Sequence, residues 1–318
     1  MKLNARKRNI RVVAMAFAVS ALSAVPLYAD DAEIAVDISI GTELMGGHTT
    51  YRIGYPVTII GGPTEEGYFP FSELKWPLDT WLARVDLGVD IGSSLRINGT
   101  VKTNLSKPGD PMVDKDWITD ADPTRLDIYS DSSISDFDAL ILDCDVEWSF
   151  LKSESGSLYA GLGYQYQNFK YDSNLIHQYS PSGLPGWEFF GDGSVSITYE
   201  MTYSMPYVIF GGTYNVSPDF AVAGSIAYSP FVDAEDLDDH ILRDKISEGD
   251  MEGSALMVNI SGKYSFAPNM FLEGGLNYTK IDVDGTQTQS FSGVPYYLVA
   301  QESESSQTSG YLKVGYKF

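Results

Sequence analysis

The chain has 318 residues, 43% of them hydrophobic, with 43 acidic against 21 basic residues and a formal net charge of −22. So acidic a balance excludes nucleic acid as a partner, because the phosphate backbone would be repelled, and favours a cationic ligand or substrate. Its single cysteine, Cys144, excludes an internal disulfide and any cysteine-based metal site.

The N-terminus reads as a secretory signal. Lys2, Arg6, Lys7, Arg8 and Arg11 precede an apolar stretch over 12–25 that is too short to span a bilayer as a helix. Cleavage after Ala29 gives a signal at 1–29 and one domain at 30–318. The leader holds five of the 21 basic residues and none of the 43 acidic ones, which leaves the remainder at −27.

Beyond it the hydropathy alternates with period two. Ile34, Val36, Ile38, Ile40 and Leu44 alternate with Glu33, Asp37, Ser39 and Glu43. The same pattern returns at Leu158–Tyr166, Phe220–Tyr228, Leu256–Phe266 and Leu272–Tyr278. The last strand carries Leu312, Val314, Tyr316 and Phe318 between Lys313, Gly315 and Lys317, and such a strand ending in Phe resembles the C-terminal signature of bacterial outer-membrane barrels. Strands this long, apolar on one face and polar on the other, suit a lipid-facing barrel better than a soluble sandwich. Inward Asp143, Asp145, Glu147, Lys263, Glu273, Lys313 and Lys317 would fill the lumen.

Short turns are predicted at 92–94, 152–156, 215–219 and 267–269. Long polar loops are predicted at 45–70, 107–135, 171–193, 233–252 and 284–306. Four turns alternating with five loops predict an all-β fold, a ten-stranded antiparallel transmembrane barrel with long extracellular loops and both termini in the periplasm. Its 21 tyrosines suit interfacial girdles. Pro77 falls near or within the second strand, where the pattern gives no reason for it.

Two acidic motifs fall where loops meet strands. Asp114 and Asp116 share one side of an extended chain, as do Asp238 and His240. If the two strand tops face each other, three carboxylates and an imidazole converge and could activate a water. Their surroundings are acidic: 107–138 holds nine acids against three bases, and 231–253 nine against two. Crowding should raise some of these carboxyl pKa values and let the aspartate pair share a proton. His48 and His177 lack acidic neighbours two residues away and read as surface residues. No EF-hand spacing and no Ser-His-Asp or Cys-His motif occurs, so neither metal nor cofactor is expected.

Met112-Val113-Asp114-Lys115-Asp116-Trp117 and Asp236-Leu237-Asp238-Asp239-His240 resemble the paired motifs of the omptin family of outer-membrane endopeptidases. Ser72–Trp76, Met205–Tyr207 and Asp37–Thr42 also match, and the likeness runs over about 37–318. The resemblance implies peptide hydrolysis at the extracellular rim, with Asp114 and His240 flanking the attacking water. It also implies that Asp238 orients His240 and that Asp116 supports Asp114. It implies basic peptide or protein substrates read by acids, for which Asp236 and Asp127 are the candidates; Thr49 and Thr50 occupy the region where a further acid is expected. Omptins bind lipopolysaccharide through basic residues on the outer surface, but 164–168 and 200–204 contain no Arg or Lys, which argues against that dependence here. The rival readings are a barrel that kept these residues but serves as an adhesin or structural protein, and a narrow porin.

Overall fold

The computed structural model describes residues 34–119 and 122–318; the signal expected at 1–29 lies outside them. The alternating sequence forms β1 (Ile34–Ile59), β2 (Thr64–Glu65), β3 (Ser72–Pro77), β4 (Thr80–Ile91), β5 (Leu95–Asn104), β6 (Met112–Asp116) and β7 (Ile128–Ser153). The second half forms β8 (Gly156–Tyr179), β9 (Phe189–Phe190), β10 (Ile197–Ser217), β11 (Phe220–His240), β12 (Lys245–Ala267), β13 (Met270–Phe291) and β14 (Val294–Lys317). All the pairings are antiparallel. They run β1-β4-β5-β7-β8-β10-β11-β12-β13-β14 and return to β1, a closed ring of about ten strands.

The second and third strands are each broken. In the upper barrel β3 and β6 replace β4 and β5 between β1 and β7. Pro77 ends β3 at this break, where Leu78 N donates to Gly47 O (3.1 Å) and Tyr171 Oη donates to the Pro77 carbonyl (3.1 Å). A residue without an amide proton is tolerated there because the ladder is interrupted.

The four short turns stand where the sequence predicts them. Much of the predicted loop, however, is strand. β11 runs to His240 and β12 resumes at Lys245, joined only by a 3-10 turn at Ile241–Arg243, and β13 and β14 meet at a tight turn over 292–293. In the upper barrel the outward face carries Asp233, Glu235 and Asp239 while the inward face mixes Val232 and Ala234 with Asp236 and Asp238, so the contrast that marks a strand in sequence fades although the ladder continues. A spanning strand needs about 9–11 residues, whereas β1 and β7 have 26. The barrel therefore rises far beyond the lipid.

In the lower half the outward residues are apolar and exposed, among them Ile40, Leu162, Ile260, Leu276 and Leu312. Cys144 is free and faces outward with them. The inward residues form ion pairs: Arg84 with Asp86 (2.6 Å) and Glu43 (3.0 Å), Lys102 with Glu43 (2.8 Å), Arg96 with Asp37 (2.8 Å) and Lys313 with Glu273 (3.2 Å). Above them a row of amides crosses the lumen. Gln165 donates to Asp143 (2.8 Å), Gln167 to Gln165 (2.7 Å) and Gln307 to Gln167 (2.8 Å), and Ser305 meets Thr49 (2.9 Å) at the far wall. Higher still, Tyr51, Leu74, Trp76, Tyr171, Tyr199, Met201 and Tyr203 pack into a buried core. That core is the floor on which the upper residues stand.

Candidate active site

Each member of the predicted constellation is fixed by strand register. On β6, Asp114 pairs with Leu74 of β3 and Ser130 of β7, and Asp116 with Ser72 and Ile128. On β11, Asp236, Asp238 and His240 sit opposite Met201, Tyr199 and Ile197 of β10 and Gly249, Ser247 and Lys245 of β12. Alternation turns all five side chains inward. Asp114 and Asp236 are 8% and 5% exposed, Asp238 is fully buried and His240 is 7% exposed.

The tightest geometry surrounds Asp238. His240 Nε2 lies 3.0 Å from its Oδ2, so with the proton on Nε2 the imidazole keeps Nδ1 as its free base. Tyr51, reaching across from β1, donates its hydroxyl to the same oxygen. Its ring stacks on Tyr199 (5.4 Å between centroids), and Tyr199 stacks on Trp76 (4.7 Å, 6° between planes). An aromatic stack from three strands thus holds the donor that holds the carboxylate. Burial pushes the Asp238 pKa up, but the adjacent His240, the Lys245 charge and the Tyr51 hydrogen bond bring it below the usual carboxylate value.

Asp114 and Asp116 behave oppositely. Burial, and then the Asp116 charge, raise the Asp114 pKa well above its ordinary value, and no hydrogen-bond donor reaches its Oδ1. Asp116 is also raised by burial, against a hydrogen bond to Ser72 and the charges of Arg243 and His240. Two carboxyls this close and this buried favour sharing a proton over carrying two charges. That His240 acts on Asp116, and Asp238 on Asp114, ties the β6 pair to the β11 triad electrostatically.

Asp236 accepts from Gln301 Nε2 (2.6 Å) and Tyr199 Oη (3.2 Å). Burial and the Asp238 charge push its pKa up to about 7. Asp127 is different. It is fully buried and accepts from the amides of Ile118 (3.1 Å) and Thr119 (2.9 Å), from Ser182 Oγ (2.7 Å) and from Arg125 (3.3 Å). These bonds outweigh burial and take its pKa to about 2. A carboxylate so engaged ties two rim segments together and has little left for a substrate.

His177 stacks on Phe190 (4.4 Å between centroids) beside Glu188 (3.5 Å), outside the constellation. Sequence reasoning missed Tyr51, Tyr199 and Gln301, whose partners lie on other strands and leave no local signal. On the outer wall, Asn168 donates to Glu200 (2.9 Å) and Thr202 (2.8 Å), and Lys170 is paired with Glu200 (2.6 Å).

The fold is that of a bacterial outer-membrane β-barrel, and its extended rim brings Asp114, Asp116, Asp236, Asp238 and His240 to its inner face. The omptin family model matches residues 34–318, and the chain belongs to that family. It is 27% identical over 222 residues to the plasminogen activator of Yersinia pestis, covering 68% of this chain and 70% of that one. It is 25% identical over 260 residues to Protease 7 of Escherichia coli O157:H7, covering 77% of each. The crystal structure of the outer-membrane protease OmpT from Escherichia coli superposes with a TM-score of 0.71 at 18% identity, covering 89% of this chain and 97% of that one. Family and relatives together support an outer-membrane protease.

Proposed function

We propose that the protein is an endopeptidase that cleaves cationic peptides outside the cell with a water held between Asp114 and His240. The observation that carries this reading is the 3.0 Å contact of His240 Nε2 with a buried, ionised Asp238. With the proton on Nε2, that contact leaves His240 Nδ1 as the free base.

The water oxygen attacks the scissile carbonyl carbon as its proton passes to His240, and Asp238 stabilises the imidazolium that forms. The Asp114–Asp116 pair, holding one proton, positions the water from the other side. Collapse of the tetrahedral intermediate breaks the C–N bond, and His240 returns the proton to the leaving amine. No covalent acyl-enzyme forms. Asp236 reads a basic side chain of the substrate, while Asp127 holds the rim in shape. The neutralised outer wall at Asn168, Thr202 and Glu200 supports activity without lipopolysaccharide.

The test is cleavage of a dibasic fluorogenic peptide by refolded protein in detergent, with and without lipopolysaccharide, beside His240→Ala. Activity that His240→Ala abolishes supports the reading. Folded protein inert toward this peptide and a broad peptide library overturns it in favour of a non-enzymatic barrel.

A further inference from the structure

Asp236 on β11 and Gln301 on β14 meet inside the rim as two planar groups. Gln301 Nε2 donates to Asp236 Oδ2 at 2.6 Å. The other oxygens of the pair, Asp236 Oδ1 and Gln301 Oε1, are both buried and receive no hydrogen bond of normal geometry, although the Gly249 backbone amide approaches the Asp236 carboxyl. Both lie over Gly249 of β12, where an added Cβ would stand 2.2 Å from Asp236 Oδ1 and 2.1 Å from Gln301 Oε1. The two acceptors therefore lie side by side at a place kept open by a glycine.

Two buried acceptors facing each other are unfavourable unless a hydrogen lies between them. A carboxylic acid beside a carboxamide supplies one: N–H donates to one carboxyl oxygen, and the carboxyl O–H donates back to the amide oxygen. Of the two groups only Asp236 can carry that hydrogen. The groups facing it are the Asp238 carboxylate from its own strand, the Tyr199 and Tyr203 phenols from β10, Tyr51 from β1 and the Gly249 backbone from β12. None is a cation. Burial and Asp238 both favour the protonated form, which persists to about pH 7.

The geometry points to Gln301 as a specificity-determining residue. With Asp236 it forms a neutral acid–amide pair that accepts an uncharged hydrogen-bonding side chain as readily as a cation, and it turns selective for a cation only when Asp236 loses its proton. This rests on the groove being a peptide-binding one. An ionised partner makes a hydrogen bond roughly twice as strong as a neutral one, so selectivity should change about tenfold.

The experiment compares kcat/KM for two peptides that differ only in Lys or Gln at the cleavage site, between about pH 5 and about pH 9. The Lys-to-Gln ratio is expected to climb about tenfold through neutrality in the natural protein. In Gln301→Glu, two carboxyls share one proton and a charge is always present, so the preference for Lys should already be full at the acidic end. A flat ratio in the natural protein, or an unchanged profile in Gln301→Glu, overturns the proposal. Infrared difference spectroscopy reads the pair without substrate. Subtracting the spectrum of Asp236→Asn from that of the natural protein removes the bands of the other protonated carboxyls, and the remaining carboxyl component should be present at acidic pH and fade through neutrality. Its absence at acidic pH overturns the proposal whether or not peptides are cut. Its presence in folded protein that cuts no peptide overturns the protease reading and the selectivity built on it, but leaves the acid–amide pair standing.

Discussion

Tyr51 and Asp238 stand 187 positions apart in the chain, yet the hydroxyl of one donates to the carboxylate of the other inside the barrel. The same carboxylate oxygen contacts His240. Under the proposed mechanism Tyr51 positions the base, acting through Asp238. Tyr51→Phe keeps the ring stack and removes one hydrogen bond to a charged group, an interaction of about 1.5–3 kcal/mol. The expected outcome is a fall in kcat of about tenfold or more with KM unchanged. The Tyr51 bond also helps to lower the Asp238 pKa, so the acidic limb of the pH–rate profile should move to higher pH.

His240→Ala and Asp114→Asn should each reduce kcat by about two to four orders of magnitude, the scale of a lost general base or positioned acid group. The thermal melt of Asp114→Asn should match or exceed that of the natural protein, whereas His240→Ala, which takes the imidazole partner from buried Asp238, should melt lower. A collapse in the stability of Asp114→Asn parallel to its loss of activity would speak for a structural role instead.

Asp114 also makes a stability prediction. Its folded pKa is raised, so the folded state holds its proton more tightly than the unfolded one. Stability is therefore complete below the unfolded pKa and declines as pH rises through the folded value. Asp114→Asn should melt higher than the natural protein at pH 8, by an amount of order 1 kcal/mol, with the gap closing towards pH 4. Asp238 has the opposite sign: its lowered pKa contributes stability above the unfolded value that is lost as the pH falls through the folded one.

Asp127→Asn should loosen the rim locally. The amides of Ile118 and Thr119 lose a charged acceptor and Ser182 loses its anchor. Hydrogen exchange should accelerate over 118–127 and 180–184 while the barrel strands keep their protection. KM should rise and kcat should hold, since the bonds lost are those of the rim segments and not those of Asp238 or His240.

Lipopolysaccharide should leave kcat/KM unchanged in the purified protein. A ratio below the about fivefold at which coupling between two sites registers would agree with an outer wall where Lys170 is already paired with Glu200. A strong activation would mean that other outer residues bind the lipid.

The sequence made the barrel legible because apolar and polar residues alternate wherever one face meets lipid. It failed at 233–252 and 284–306, where Glu235, Asp236, Leu237 and Asp238 alternate in direction but not in polarity, so a hairpin looked like a loop. Asp114 and Asp116, and Asp238 and His240, could be placed together from sequence because the members of each pair are two positions apart and a strand brings such residues to one face. Tyr51 and Gln301 were not legible, because register across distant strands decides what they touch. The donors around Asp127 were not legible either, because they come from Ile118, Thr119 and Arg125 on one side and from Ser182, far along the chain, on the other.

The amide row from Asp143 through Gln165, Gln167 and Gln307 to Ser305 and Thr49 joins β7 and β8 to β14 and β1 on the opposite wall. It lies beneath the groove and above the ion-paired base of the lumen. Under the proposed function, a bacterium carrying many copies would gain a cutting surface on barrels whose lumen is filled from the ion-paired base through the amide row to the buried core, and so would gain no wide holes in its envelope.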